Sequence, residues 1–143
     1  MRRTAMLVLS AALLAACSAG PAAPTPAATD PVAPSAAADA AGQRFPDIVE
    51  VEATRTGDGY SFAVTVSSPY DTPERYADAF RVRAQDGTVY GVTELTHDHA
   101  TEQPFTRSLS NVTIPAEVTS VVVEGRDQAN GWGGGTRTVE LPT

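Results

Sequence analysis

Residues 45–143 predict an all-β domain, an antiparallel sandwich of seven short strands. Three observations carry the prediction. Apolar residues recur at every second position in short runs, the period of a strand with one buried face. Turn-forming Gly, Pro, Asn and Asp fall between those runs at regular spacing. And no segment carries a convincing apolar stripe at helical spacing.

The runs follow in chain order. Val49, Val51 and Ala53 alternate with Glu50, Glu52 and Thr54 in the first. Gly57-Asp58-Gly59 then turns the chain into Tyr60, Phe62, Val64 and Val66, the clearest alternation in the sequence. Ser68-Pro69 ends that strand, and Thr72-Pro73-Glu74 resembles a helix start, so one helical turn is expected within 72–79. Phe80, Val82 and Ala84 alternate with Arg81 and Arg83. Asp86-Gly87 predicts a tight hairpin into 88–96. Phe105, Arg107 and Leu109 share one parity, whereas Val112 and Ile114 hold the other, so a bulge is expected near Ser110-Asn111. Segments 118–125 and 136–141 complete the set, with Asn130-Gly131-Trp132-Gly133-Gly134-Gly135 read as the turn between them.

Seven alternating strands in a chain of this length resemble the immunoglobulin and fibronectin type III folds. The Cys pair of antibody domains is missing, which moves the resemblance toward fibronectin-like bacterial modules. A small closed barrel is the alternative architecture. A second resemblance runs from Leu95 to Pro142, through Leu95-Thr96-His97-Asp98-His99, Glu102-Gln103-Pro104-Phe105 and Ile114-Pro115. It is similar to a group of small exported bacterial proteins of unassigned function, and it implies the fold without an activity.

The N-terminus is a different material. Met1-Arg2-Arg3 is a basic start, residues 5–16 are mostly apolar, and Leu14-Ala15-Ala16-Cys17 closes the run. A basic start, an apolar stretch and a small-residue exit describe a secretory signal peptide, too short for a comfortable bilayer span. Its ending resembles the bacterial lipobox. That resemblance implies a diacylglyceryl group on the Cys17 thiol, cleavage before Cys17, usually acylation of the new amino terminus, and anchoring by more than one chain. The expected divisions are therefore a signal peptide at 1–16, lipidated Cys17 with a disordered tether at 17–44, and the sandwich at 45–143. The tether is rich in Ala and Pro, has nothing to bury and favours polyproline II, so it can extend to on the order of 80 Å. Its PxxP spacings, Pro21–Pro24 and Pro31–Pro34, are attributed to composition.

Cys17 is the one cysteine of the chain. The sandwich therefore has no disulfide, no Cys nucleophile and no Cys–metal cluster, and must be held by its apolar core. All ten basic residues are Arg, against 17 Asp and Glu, for a net charge of −7. An acidic surface argues against nucleic acid and against direct adhesion to anionic lipid, leaving the acyl chains as the expected membrane contact. The chain is expected outside the cytoplasm. Ser18 after Cys17 resembles the pattern sorted to the periplasmic side of an outer membrane; in a single-membrane cell the anchor stays on the outer face of the plasma membrane.

Few residues suggest chemistry. His97 and His99 are the two histidines of the chain. Two residues apart on a strand they would project from one face, roughly 6–7 Å from each other, and could share a metal ion. Glu102 is the expected third ligand, with Glu94 and Asp98 as further local carboxylates. Imidazole and carboxylate suit zinc and copper. The plainer alternative is a polar turn in which one His bonds to Glu102 or Arg107. No Gly-x-Ser-x-Gly elbow is present, and the glycine run lacks the Lys and Ser/Thr of a phosphate loop. Trp132, read as exposed on a mobile glycine tip, is a candidate binding anchor. The first expectation is thus a non-catalytic envelope module, not an enzyme and without a cofactor beyond its lipid, that binds another envelope protein or a glycan. The second is a lipoprotein that binds zinc or copper through His97 and His99.

Overall fold

A computed structural model describes residues 42–143. The signal peptide, Cys17 and nearly all of the tether lie outside the described residues. Seven strands follow in order: β1 (Asp47–Thr56), β2 (Gly59–Ser67), β3 (Ala77–Arg83), β4 (Val89–Glu94), β5 (Phe105–Val112), β6 (Ser120–Asp127) and β7 (Gly131–Glu140). They form a three-stranded sheet, β1-β2-β5, and a four-stranded sheet, β4-β3-β6-β7. Every pairing is antiparallel. The sheets are separate, so the closed-barrel alternative is set aside. Among the described residues no helix is long and apolar enough to cross a membrane.

The alternation in β2 does what its pattern dictates. Tyr60, Phe62, Val64 and Val66 are buried and meet Phe80 and Val82 from β3 and Val121 and Val123 from β6. Each such side chain contributes about 1.5–3 kcal/mol on burial, and with no Cys in this part of the chain that apolar contact holds the two sheets together. The Asp86-Gly87 hairpin forms as expected: Gly87 has φ 95°, and the Thr88 amide donates to Asp86 Oδ1 at 2.9 Å. The expected bulge in β5 is present too. Tyr60 pairs with Val112 but Phe62 with Leu109, and Asn111 takes φ 60° between them. That extra residue brings both Phe105 and Val112 into the core.

Three expectations need correction. A register shift between Ile48 and Glu50 reverses the parity of early β1, so Ile48 is buried and Val49 is 38% exposed. No helical turn forms within 72–79; Thr72 and Arg75 exchange backbone hydrogen bonds in a tight bridge, and β3 already begins at Ala77. The run Gly131–Gly135 is not a turn but the first half of β7. Glycines of β6 and β7 form a seat for the residues that enter β1. A Cβ on Gly125 would lie 2.6 Å from Pro46 Cγ, and one on Gly133 would lie 2.8 Å from the Phe45 ring. Gly134, at φ 91°, would press a side chain into the Pro46 carbonyl. The Gly135 amide donates to Asp47 Oδ1 at 2.5 Å, and Arg137 Nε to the Val49 carbonyl at 3.2 Å, which fastens β1 to β7.

The outer face of the four-stranded sheet carries ionic ladders. Glu124 accepts from Arg81 at 2.6 Å and Arg83 at 3.1 Å, and Asp78 accepts from Arg126 at 2.8 Å. Trp132 lies on this face beneath the Arg81 and Arg126 guanidinium groups, 4.1 and 5.2 Å from its ring.

Candidate functional site

The residues of chemical interest collect at the end of the sandwich where β1 begins and β2 ends. Here the segment between β4 and β5 is pinned in place. The Leu95 amide donates to the Asp78 carbonyl, and the Glu102 amide closes a turn on the His99 carbonyl at 3.1 Å. The Gln103 side chain donates to the His99 carbonyl at 3.2 Å and accepts from the Ser68 amide at 2.7 Å. Asp71 is the hidden support. One of its carboxylate oxygens accepts from the Ala77 amide at 3.0 Å and the other from the His99 amide at 3.1 Å. Burial holds Asp71 above the usual carboxylate range, and those two amide bonds oppose the shift.

His99 is thereby driven inward, to 2% exposure, and its ring stacks on Phe105 at 3.7 Å. Neither ring nitrogen has a hydrogen-bond partner among the described residues. Buried polar atoms normally find partners, and an exception needs a reason. Both nitrogens face carboxylates at greater than hydrogen-bond distance: Nδ1 lies 4.0 Å from Asp71 Oδ2 and Nε2 lies 3.9 Å from Glu102 Oε1. Burial pushes the imidazole below its ordinary value of 6.5; the charges of Arg107 and His97 add to this, while Glu102 and Asp71 oppose it. A ring that stays neutral keeps the lone pair that a metal needs.

His97 and Glu102 complete the group. The His97 ring lies 4.7 Å from that of His99, and one ligand atom from each of His97, His99 and Glu102 falls within 4.8 Å of the others. A tetrahedral ion with bonds of about 2.0–2.1 Å needs ligand atoms roughly 3.3–3.5 Å apart, so closure by at most about 1.5 Å suffices. His97 and Glu102 are exposed, the latter bonded to Arg107 Nη2 at 2.7 Å, while His99 is buried.

The sequence residues therefore divide as follows. His97, His99 and Glu102 converge, but not as strand neighbours. β4 stops at Glu94, and it is the folded loop that brings them together. Glu94 and Asp98 are not part of the group. Trp132 sits on a sheet face under two arginines instead of at a loop tip, because the run that carries it is strand β7, in which Gly133 and Gly134 seat Phe45 and Pro46. Cys17 lies outside the described residues. Asp71, which lies 28 residues from His99, carries no signal in the sequence.

No family model matches the chain. Over 84 residues, 59% of its length, it is 39% identical to a Halomicrobium mukohataei protein described as "Putative lipoprotein". The chain covers 41% of that relative's length. Among solved structures it is similar to a superoxide reductase from Giardia intestinalis, at 12% identity and a TM-score of 0.40 over 66% of this chain and 99% of the other. It is also similar to a hypothetical protein from Pyrococcus horikoshii OT3, at 17% identity and a TM-score of 0.45 over 69% and 88% of the two chains. The expectation that the chain is not an enzyme is withdrawn. Scores this low carry neither that activity nor its chemistry to the present chain.

Proposed function

We propose that this chain is a lipid-anchored protein of the cell envelope whose β-sandwich binds a divalent transition-metal ion through His97, His99 and Glu102. The observation that carries the metal reading is the buried, unpartnered imidazole of His99, fixed within reach of a second imidazole and a carboxylate. Two nitrogens and one oxygen suit zinc, with copper(II) next. His99 Nε2 is the binding atom, because it faces Glu102, and Nδ1 faces Asp71 in the manner of a supporting carboxylate behind a ligand histidine. Anchoring rests on the Cys17 motif and on the description of the Halomicrobium mukohataei relative. The stalk joins the domain at the end that holds the site, since Gln43 Nε2 donates to the Ser67 carbonyl, next to the Ser68 that Gln103 grips. Binding of an envelope protein or glycan through Trp132 has lost its basis in an exposed tip.

Calorimetric titration of the full chain with zinc and with copper(II) tests the reading. One ion per chain with Kd below about 100 μM is expected, abolished in His97→Ala and strongly weakened in Glu102→Gln. Both positions are exposed, so neither change threatens the fold. Weaker binding by the parent chain, or equal binding by the variants, overturns it.

A further inference from the structure

We propose that Arg107 guards this site: its guanidinium holds Glu102 in the ion's absence, and the ion must displace it to load. The inference rests on the metal reading above and names what regulates that site. Arg107 Nη2 donates to Glu102 Oε1 at 2.7 Å, and that same oxygen lies 3.9 Å from His99 Nε2. One carboxylate oxygen is therefore shared between a resident cation and the space an incoming cation would enter. A guanidinium and a metal ion cannot both sit close to one oxygen without repulsion.

The geometry gives Arg107 a place to remain once released. Its Nη1 donates to the Thr106 carbonyl at 2.9 Å, and its Cζ lies 5.4 Å over the Phe105 ring, the ring on which His99 stacks. Only the Nη2 bond has to break. Arg107 is not a ligand, because a guanidinium offers no lone pair at neutral pH. It acts on the ion through Glu102 and through its own charge, so it lowers affinity and discriminates against weakly charged ions. A monovalent cation lacks the charge to compete for the carboxylate, whereas a dication that also gains two imidazoles has it. The surface ion pair and the like-charge repulsion are each modest in water, and together they correspond to an effect on the order of 3–10-fold.

The test compares the full-length parent chain with Arg107→Gln and Arg107→Lys in zinc titrations at low and high salt. Arg107→Gln is expected to bind zinc about 3–10-fold more tightly than the parent at low salt. That gain should shrink at about 0.5 M salt, where a charge effect is screened and a packing effect is not. Arg107→Lys keeps the charge and should stay near the parent. If the parent binds zinc and Arg107→Gln binds equally or less tightly, the guard is refuted while the metal site survives. If the parent binds no zinc, both fall.

Discussion

Replacing His99 with Phe should make the metal-free protein more stable and the zinc-treated protein relatively less so. In the neutral imidazole one nitrogen donates and the other accepts. Neither has a partner among the described residues, and each such buried group costs about 1–3 kcal/mol. The carboxylates at 3.9 and 4.0 Å recover part of that electrostatically. A phenyl ring removes both orphaned nitrogens and keeps the stack on Phe105, now 3.7 Å between ring centres. The backbone bond from the His99 amide to Asp71 is unaffected. Against the gain stands the larger ring, since overfilling a packed site costs about 1–3 kcal/mol. The balance is a stabilisation of about 1 kcal/mol, or roughly 4–8 °C in Tm for a domain of this size. Urea unfolding with a chelator present measures it as a higher midpoint at unchanged slope. With zinc at a hundredfold excess over Kd, the parent chain gains about 2.7 kcal/mol and the variant gains none, so the order reverses. A variant less stable than the parent by more than about 1 kcal/mol in chelator would mean that the imidazole nitrogens are already satisfied. The central observation of the account would then be lost.

Three further outcomes are expected. The depressed titration of His99 makes stability pH-dependent: below about pH 6.5 the unfolded chain takes up a proton that the folded chain refuses. Stability should therefore fall as pH drops from 6.5 toward the folded-state value, and His99→Phe should flatten that part of the profile; an unchanged slope in the variant would refute the assignment. Gly134→Ala, with its positive φ and the Pro46 carbonyl in the way, should cost about 2–4 kcal/mol by denaturant unfolding, against about 1 for Gly131→Ala, which has a similar φ but open space. Equal losses would show that the Phe45–Pro46 seat contributes nothing. Cys17→Ser should abolish incorporation of a fatty-acid probe in cells, and persistent labelling would remove the anchor.

What the sequence revealed and what it hid follow from the range of the interactions involved. Patterns settled by neighbours were legible: the buried parity of β2, the Asp86-Gly87 hairpin, and the parity conflict in β5 that only a bulge at Ser110-Asn111 resolves. Features that depend on distant chain were not. The glycines of 131–135 look like a turn until Phe45 and Pro46 are laid across Gly133 and Gly134, about ninety residues away in sequence, where a Cβ would collide with them. Ile48 and Val49 exchange places because a bulge in β1 leaves no mark on composition. The trio of His97, His99 and Glu102 was visible as a cluster, but for the wrong reason, since the loop and not strand periodicity unites it. Asp71 carried no signal at all: its role is to hold a backbone amide, which any sequence possesses. Arg107 was visible as a neighbour of the histidines, whereas its grip on the ligand carboxylate is a matter of one 2.7 Å contact.

The central claim is that a metal ion sits between two imidazoles and one carboxylate, and zinc-edge X-ray absorption of the equimolar complex addresses it most directly. Four near neighbours at about 2.0–2.1 Å with the outer-shell scattering of two imidazole rings are expected, and that scattering should be absent from a mixture of zinc with His97→Ala. A spectrum of oxygen neighbours alone, with no imidazole scattering, would contradict it.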